Sequence, residues 1–131
     1  MKSLLLLTAL LFAVAFSSST GVVSKASNPA KKQRATVLFN DPVRLMGNTL
    51  KGQYLFVHDD AAMARGETCT FVYKGNAEIA SKLVVSFHCT PAERVKVASF
   101  TVRSLLISPG LNELKEFQFA GSTEAHLIPS R

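Results

Sequence analysis

The chain has no tryptophan and, in 131 residues, only two cysteines, two tyrosines and three histidines. These scarcities bound its chemistry. With no tryptophan and no interleaving of aromatic with basic residues, it lacks the platforms on which bases stack, so nucleic acid is not an expected partner. No G-x-S-x-G segment is present, so the turn that presents a hydrolase serine is missing. Gly47, Gly52 and Gly66 fall at turns or caps and build no phosphate-cradling loop. The nine acidic residues include no evident catalytic pair, and there is no C-x-x-C, H-x-H or H-x-x-x-H spacing. A catalytic role is therefore not expected.

What the chain does have begins with an apolar run, "LLLLTALLFAVAF" at residues 4–16, preceded by Lys2 and followed by small and polar residues. That order is expected of a secretory signal peptide, and the run is shorter than the roughly 20 residues of a membrane-spanning helix. "AVA" at 13–15 fits the small-x-small cleavage rule but cuts inside the apolar run; "SKA" at 24–26 fits it beyond the run. The expected division is a signal peptide at 1–26, a basic flexible leader at 27–34 containing "KKQR", and a single domain at 35–131. Removing Lys2 and Lys25 lowers the net charge from +6 to +4. The mature protein is then secreted or periplasmic, with no stable membrane insertion after cleavage.

In such a compartment Cys69 and Cys89 read as one disulfide. It would close a loop of about 20 residues, worth roughly 3 kcal/mol on chain-entropy grounds.

Short alternating segments dominate the remainder. "ATVLF" (35–39) ends at the turn "NDP"; "VRLM" (43–46) and "TLKGQYLFVH" (49–58) read as a hairpin across Gly47-Asn48, with Leu45 opposite Leu50. "DDAAMARG" (59–66) reads as a short helical connector, with Asp60 as N-cap and Gly66 at the left-handed C′ position. "TCTFVY" (68–73) and "LVVSFHC" (83–89) pair antiparallel if Cys69 faces Cys89, Phe71 faces Phe87 and Tyr73 faces Val85. The segment 94–107 changes phase, implying a bulge near Ala98-Ser99 or two strands, and strands follow at 112–120 and 124–129. The fold class expected is mostly β: a single antiparallel sandwich or small barrel of about seven to eight strands.

This pairing gathers His58, Asp59, Asp60, Met63, Glu67, Cys69, His88 and Cys89 at one pole. The donors suit copper through His and Met, or zinc through His with a carboxylate, and the candidate ligands are His58, Met63, Glu67 and His88. A blue-copper arrangement is disfavoured by the chain after Cys89, "TPAERVKVASF", which holds no nearby His or Met. A Cys–His nucleophile would need His58, because adjacent residues His88 and Cys89 point to opposite faces of a strand. Directly opposed cysteines also make a bridge that is easier to reduce.

The segment "GNTLKGQYLFVHDD", through Gly47, Leu50, Gly52 and Tyr54, resembles the hairpin of small exported bacterial β-domain proteins of uncharacterised function. The resemblance covers about 15 residues and implies an exported β-domain, with no functional residue carried over. The functional expectation is a disulfide-stapled, non-enzymatic binding or interaction domain of the cell envelope or extracellular space, without a cofactor and with an unspecified protein or envelope partner. The alternative is a copper- or zinc-handling or redox protein using His58, Met63 and His88.

Overall fold

The computed structural model describes residues 31–130, so the expected signal peptide and the first residues of the leader lie outside the described residues. The chain is mostly β. Its strands are β1 (Lys32–Leu45), β2 (Asn48–Asp59), β3 (Thr70–Lys74), β4 (Leu83–Phe87), β5 (Thr90–Glu93), β6 (Thr101–Ser108), β7 (Leu111–Gln118) and β8 (Glu124–Leu127). A five-residue helix, α1 (Asp60–Ala64), and a 3₁₀ turn at Ala80–Lys82 complete the regular elements. The eight strands form one curled sheet in the order β4-β3-β2-β1-β7-β8-β5, with β6 paired to β7 outside that path. The sheet is mixed, because β1 and β7 run parallel where Val43 meets Asn112 and Arg44 meets Glu113. The expected mostly β fold of seven to eight strands is thus present as a half-barrel around a single core, antiparallel except where β1 meets β7.

That core is set by alternation along β2, the most buried strand. Leu50, Tyr54, Phe56 and His58 point inward, while Leu55 and Val57 on the other face are covered too. Across the interior, Phe56 lies 5.4 Å from Phe100 and 5.5 Å from Phe117 between ring centroids, tilted at 51° and 58°. Phe117 meets Phe119 edge-on at 5.8 Å. Tilted and edge-on aromatic pairs gain attraction beyond simple burial.

Four local expectations are corrected. First, "NDP" does not end a strand. β1 continues through a bulge between Phe39 and Val43, and Pro42, with no N–H to give the ladder, falls in that gap. β1 also begins at Lys32, so Lys32 and Arg34 belong to the sheet and pair with Glu78 at 3.2 and 2.7 Å. Second, the hairpin turn is Met46-Gly47. Leu45 pairs with Asn48, and the two turn residues have φ of +46° and +83°, the pair of positive values that a tight I′ hairpin needs. The register differs from expectation by two residues, which keeps every side chain on its face, and Leu45 and Leu50 remain fully buried.

Third, β3 and β4 pair one residue out of the expected register. Thr70 sits opposite Phe87 and Val72 opposite Val85. Thr70 and Val72 therefore point inward, whereas Phe71 and Tyr73 lie on the outer face against Val57 and Leu55. The deciding influence is β2, whose inward Phe56 and His58 pair with Val72 and Thr70. Fourth, 94–107 holds neither a bulge near Ala98-Ser99 nor two strands: one strand, β6, starts only at Thr101, and "TPAE" ahead of the segment is strand β5.

A polar clamp fixes the far end of the sheet. Glu116, buried on β7, accepts from Arg94 at 3.2 and 3.0 Å and from Arg103 at 2.9 Å. The Arg94 guanidinium and, less strongly, that of Arg103 hold the Glu116 carboxyl below its ordinary pKa against the effect of burial. Glu116→Ala is expected to cost about 1–3 kcal/mol, read as a lower urea midpoint, because it strands two guanidinium groups. An unchanged midpoint would mean that water replaces the carboxylate at no cost.

Candidate metal centre

Three strands and one short helix converge on Cys89. His58 is the last inward residue of β2, following Tyr54 and Phe56 at strand period. Cys89 follows Val85 and Phe87 in the same way, two residues past the end of β4. His126 is central in β8 and pairs with Phe117 of β7, so it shares the inward face of that aromatic. Strands β1 and β7 separate β2 from β8 in the sheet, yet the curl brings the His58 and His126 rings to 3.9 Å between centroids. All three residues, with Cys69, are fully buried.

Met63 arrives on α1. The helix starts where Asp59, not Asp60, caps it: Asp59 Oδ1 accepts from the Ala61 and Ala62 N–H groups at 3.0 and 3.2 Å. The Asp59 N–H itself is held by the Cys69 carbonyl at 2.8 Å, which fixes the helix against the start of β3. This frees Asp60, whose Oδ1 lies 3.0 Å from His58 Nε2. The contact has ion-pair length but not hydrogen-bond alignment, and His58 Nε2 and His126 Nε2 both lack a hydrogen-bond partner.

The donor geometry centres on one sulfur. Cys89 Sγ lies 3.7 Å from His58 Nδ1, 3.6 Å from His126 Nδ1 and 3.8 Å from Met63 Sδ. With metal–nitrogen bonds of about 2.0 Å and metal–sulfur bonds of about 2.3 Å, tetrahedral ligands sit about 3.5 Å apart for N and S and about 3.8 Å for two sulfurs. Each of the three donors therefore stands at ligand spacing from Cys89 Sγ, while His58 also groups with Cys69 and Cys89 on one side and with Glu124 and His126 on the other.

Cys69 does not have that spacing. Its Sγ is 3.2 Å from Cys89 Sγ, closer than tetrahedral spacing for two sulfurs on one ion and too far for a disulfide of about 2.05 Å. The expected disulfide is thus replaced by two free buried thiols in contact. The cysteines meet although the register that first paired them is wrong. Cys69 lies just outside β3, and its N–H bonds the Phe87 carbonyl at 3.1 Å, which draws it toward Cys89.

Charge and burial set the protonation state. Burial, reinforced by the neighbouring His58, pushes the His126 imidazole down to about 3. His58 is lowered by burial too, against the opposing field of Asp60 and, more weakly, Asp59. Both rings are consequently neutral at physiological pH, the form that ligates metals. The Asp60 carboxylate favours the His58 proton on Nε2, leaving the Nδ1 lone pair facing Cys89 and accepting from the Thr70 hydroxyl at 3.2 Å. A carboxylate behind a histidine is the usual outer-shell support of a metal ligand. Burial, and then the contact with Cys69, pushes the Cys89 thiol up to about 12.

Two of the expected ligands are elsewhere. The Glu67 side chain is exposed and pairs with Arg65 at 3.0 Å. His88, also exposed, donates from Nδ1 to the Glu67 carbonyl at 2.8 Å. That nitrogen is 3.9 Å from Cys69 Sγ but has given its proton to the carbonyl, so it offers Cys69 no basic lone pair. The Cys–His pair expected through His58 is present at 3.7 Å, but burial holds the Cys89 thiol up at about 12, so it is not the thiolate that a nucleophile needs. Of the predicted set, His58 and Met63 remain, and His126 was missed. Its signal was its parity with the apolar Ile128 in "EAHLIP", which the neighbouring Glu124 and Pro129 obscured. Glu124 and Asp60 flank the two imidazoles and line, with Lys31, Gly121 and Ser122, a shallow pocket of about 220 Å³ beside the centre.

No family model, curated protein or solved structure matches this chain.

Proposed function

We propose that this chain is a copper-binding β-domain, the ion held by Cys89 Sγ, His58 Nδ1, His126 Nδ1 and Met63 Sδ. The observation that carries this reading is the convergence of two neutral imidazoles and a thioether, each within 3.8 Å of one buried thiol. Thiolate, thioether and imidazole donors together are the set that soft copper takes, and two His with Cys and a weaker Met is a known copper constellation. Zinc is served less well, since it makes little use of thioether. The aromatic wall of Phe87, Phe117 and Phe119 keeps the centre dry, which strengthens each donor's interaction with a cation. The apolar leader, read as a signal peptide, would carry the domain to a secreted or periplasmic location, where an envelope-side copper protein operates. The ligand of the expected binding domain is, on this reading, an ion and not a protein surface.

The test is competition for Cu(I) against a chromogenic chelator under reducing conditions, with Zn(II) in parallel. One Cu(I) per chain should bind. Binding should fall by about a hundredfold or more in His126→Ala and in Cys89→Ser, and stay unchanged in His88→Ala. Equal or tighter binding of Zn(II), or an effect of His88→Ala matching that of His126→Ala, would overturn the assignment.

A further inference from the structure

The copper reading leaves Cys69 without a task, although it is as buried as the ligands and touches the central one. We infer that the Cys69–Cys89 pair makes this site a two-electron reductant of cupric ions. The inference rests on the copper assignment above and names the reaction of the same site.

The geometry supplies each step. Cu(II) enters among Cys89, His58, His126 and Met63, and the Cys89 thiol loses its proton on binding. One electron passes from the Cys89 sulfur to the ion, giving Cu(I) and an electron-deficient sulfur. The Cys69 sulfur, 3.2 Å away, gives up its proton and joins it, which requires an approach of about 1.2 Å to disulfide length. The bonded pair then carries one surplus electron, which it passes to a second Cu(II). The balance is two Cu(II) and two thiols going to two Cu(I), one disulfide and two protons.

Three features favour this sequence. The two cysteines lie outside the ladder, Cys69 just before β3 and Cys89 two residues beyond β4, so closing the bond need not break strand pairing. The Cys89 N–H donates to Cys69 Sγ at 3.3 Å, and the Thr70 hydroxyl, released once the ion takes His58 Nδ1, can turn its proton to Cys89 Sγ at 3.6 Å; both contacts stabilise negative charge on sulfur as the protons leave. Once Cys89 is consumed, the donors left are two imidazoles and a thioether, a neutral soft set that suits Cu(I) better than Cu(II). The second Cu(I) has no place in the site and departs.

The experiment adds CuCl₂ anaerobically to the reduced full chain, freed of external reductant, with a Cu(I)-specific chromogenic chelator present. Two Cu(I) per chain are expected, together with loss of both titratable thiols and a mass lower by two hydrogens. Cys69→Ser, shown to be folded by circular dichroism, should instead keep Cu(II), giving a cupric electron-spin signal and a visible thiolate-to-copper absorption. Oxidation should slow at least tenfold in His126→Ala, which retains both thiols. A wild-type chain that binds Cu(II) stably with both thiols intact would overturn the inference. So would thiol oxidation equally fast in His126→Ala, which would mark it as adventitious. Failure to bind Cu(I) under reducing conditions is a separate result and would sink the copper assignment itself.

Discussion

Acidifying the metal-free protein from pH 7 to pH 4 is expected to remove roughly 3 kcal/mol of stability through His126 alone. In the unfolded chain this imidazole takes up its proton near pH 6.5, whereas in the folded chain burial and the neighbouring His58 hold it down to about 3. Between those values the unfolded state binds more protons, so stability rises with pH. The contribution is fully present above about pH 6.5 and is lost as pH falls toward 3. His58, lowered in the same direction, adds to the loss. Glu124, raised by burial and by Asp60, works against it, because the folded state takes up that proton first. Among the other groups nearby, Asp59 weakly favours a charged His58, and burial outweighs that attraction. A domain of ordinary stability, about 5–15 kcal/mol, would approach its unfolding threshold. Urea midpoints at pH 7 and pH 4 should differ widely in the wild type and much less in His126→Leu. Parallel pH dependence in the two proteins would show that His126 is protonated in the fold without penalty.

The face of each inward residue was readable wherever one long strand set it. β2 announced itself by alternation from Leu50 to His58, and the mostly β class, with about eight short strands, followed from turn spacing. β3 was misread because its two largest side chains, Phe71 and Tyr73, were assigned to the core, although they cover the outer face of β2. Size signals burial, but it does not say on which face of a strand buried on both sides. The site was half legible. His58 and Met63 lie within a few residues of the turn from β2 into α1, and both cysteines stand beside that turn. His126 comes from a strand 37 residues beyond Cys89, and only the curl of the sheet brings it there. The spacing that disfavours a blue-copper site asks for ligands close behind the cysteine in sequence, whereas the set proposed above takes one from before it and one from the last strand. Conversely, His88 looked like a ligand because it adjoins Cys89, and strand alternation turned it outward.

The apparent affinity for Cu(I) is expected to rise tenfold for each unit of pH between 7 and 9. The two imidazoles are already neutral in that range, so they bind without losing a proton. Cys89, with its thiol pushed up to about 12, must shed one, and below that value each unit of acidity opposes the release by a factor of ten. Over the two units this amounts to about a hundredfold, or roughly 2.7 kcal/mol. The slope counts thiolates. A value of one assigns Cys89 as the sole sulfur anion on the ion, with Met63 as the neutral sulfur, and matches the 3.2 Å approach of Cys69 as a coupling partner and not a ligand. A slope of two would place both cysteines on the metal and turn the centre into a dithiolate site. Cys89→Ser should flatten the dependence and weaken binding by at least about a thousandfold, on the order of 4 kcal/mol, since a serine hydroxyl gives up its proton far less readily. Cys69→Ser should leave the slope at one. Because its hydroxyl no longer crowds the Cys89 sulfur as a second thiol does, any change in Cu(I) affinity should be small. Chelator competition at three pH values in the three proteins separates these cases, and a slope of one that survives in Cys89→Ser would remove Cys89 from the centre altogether.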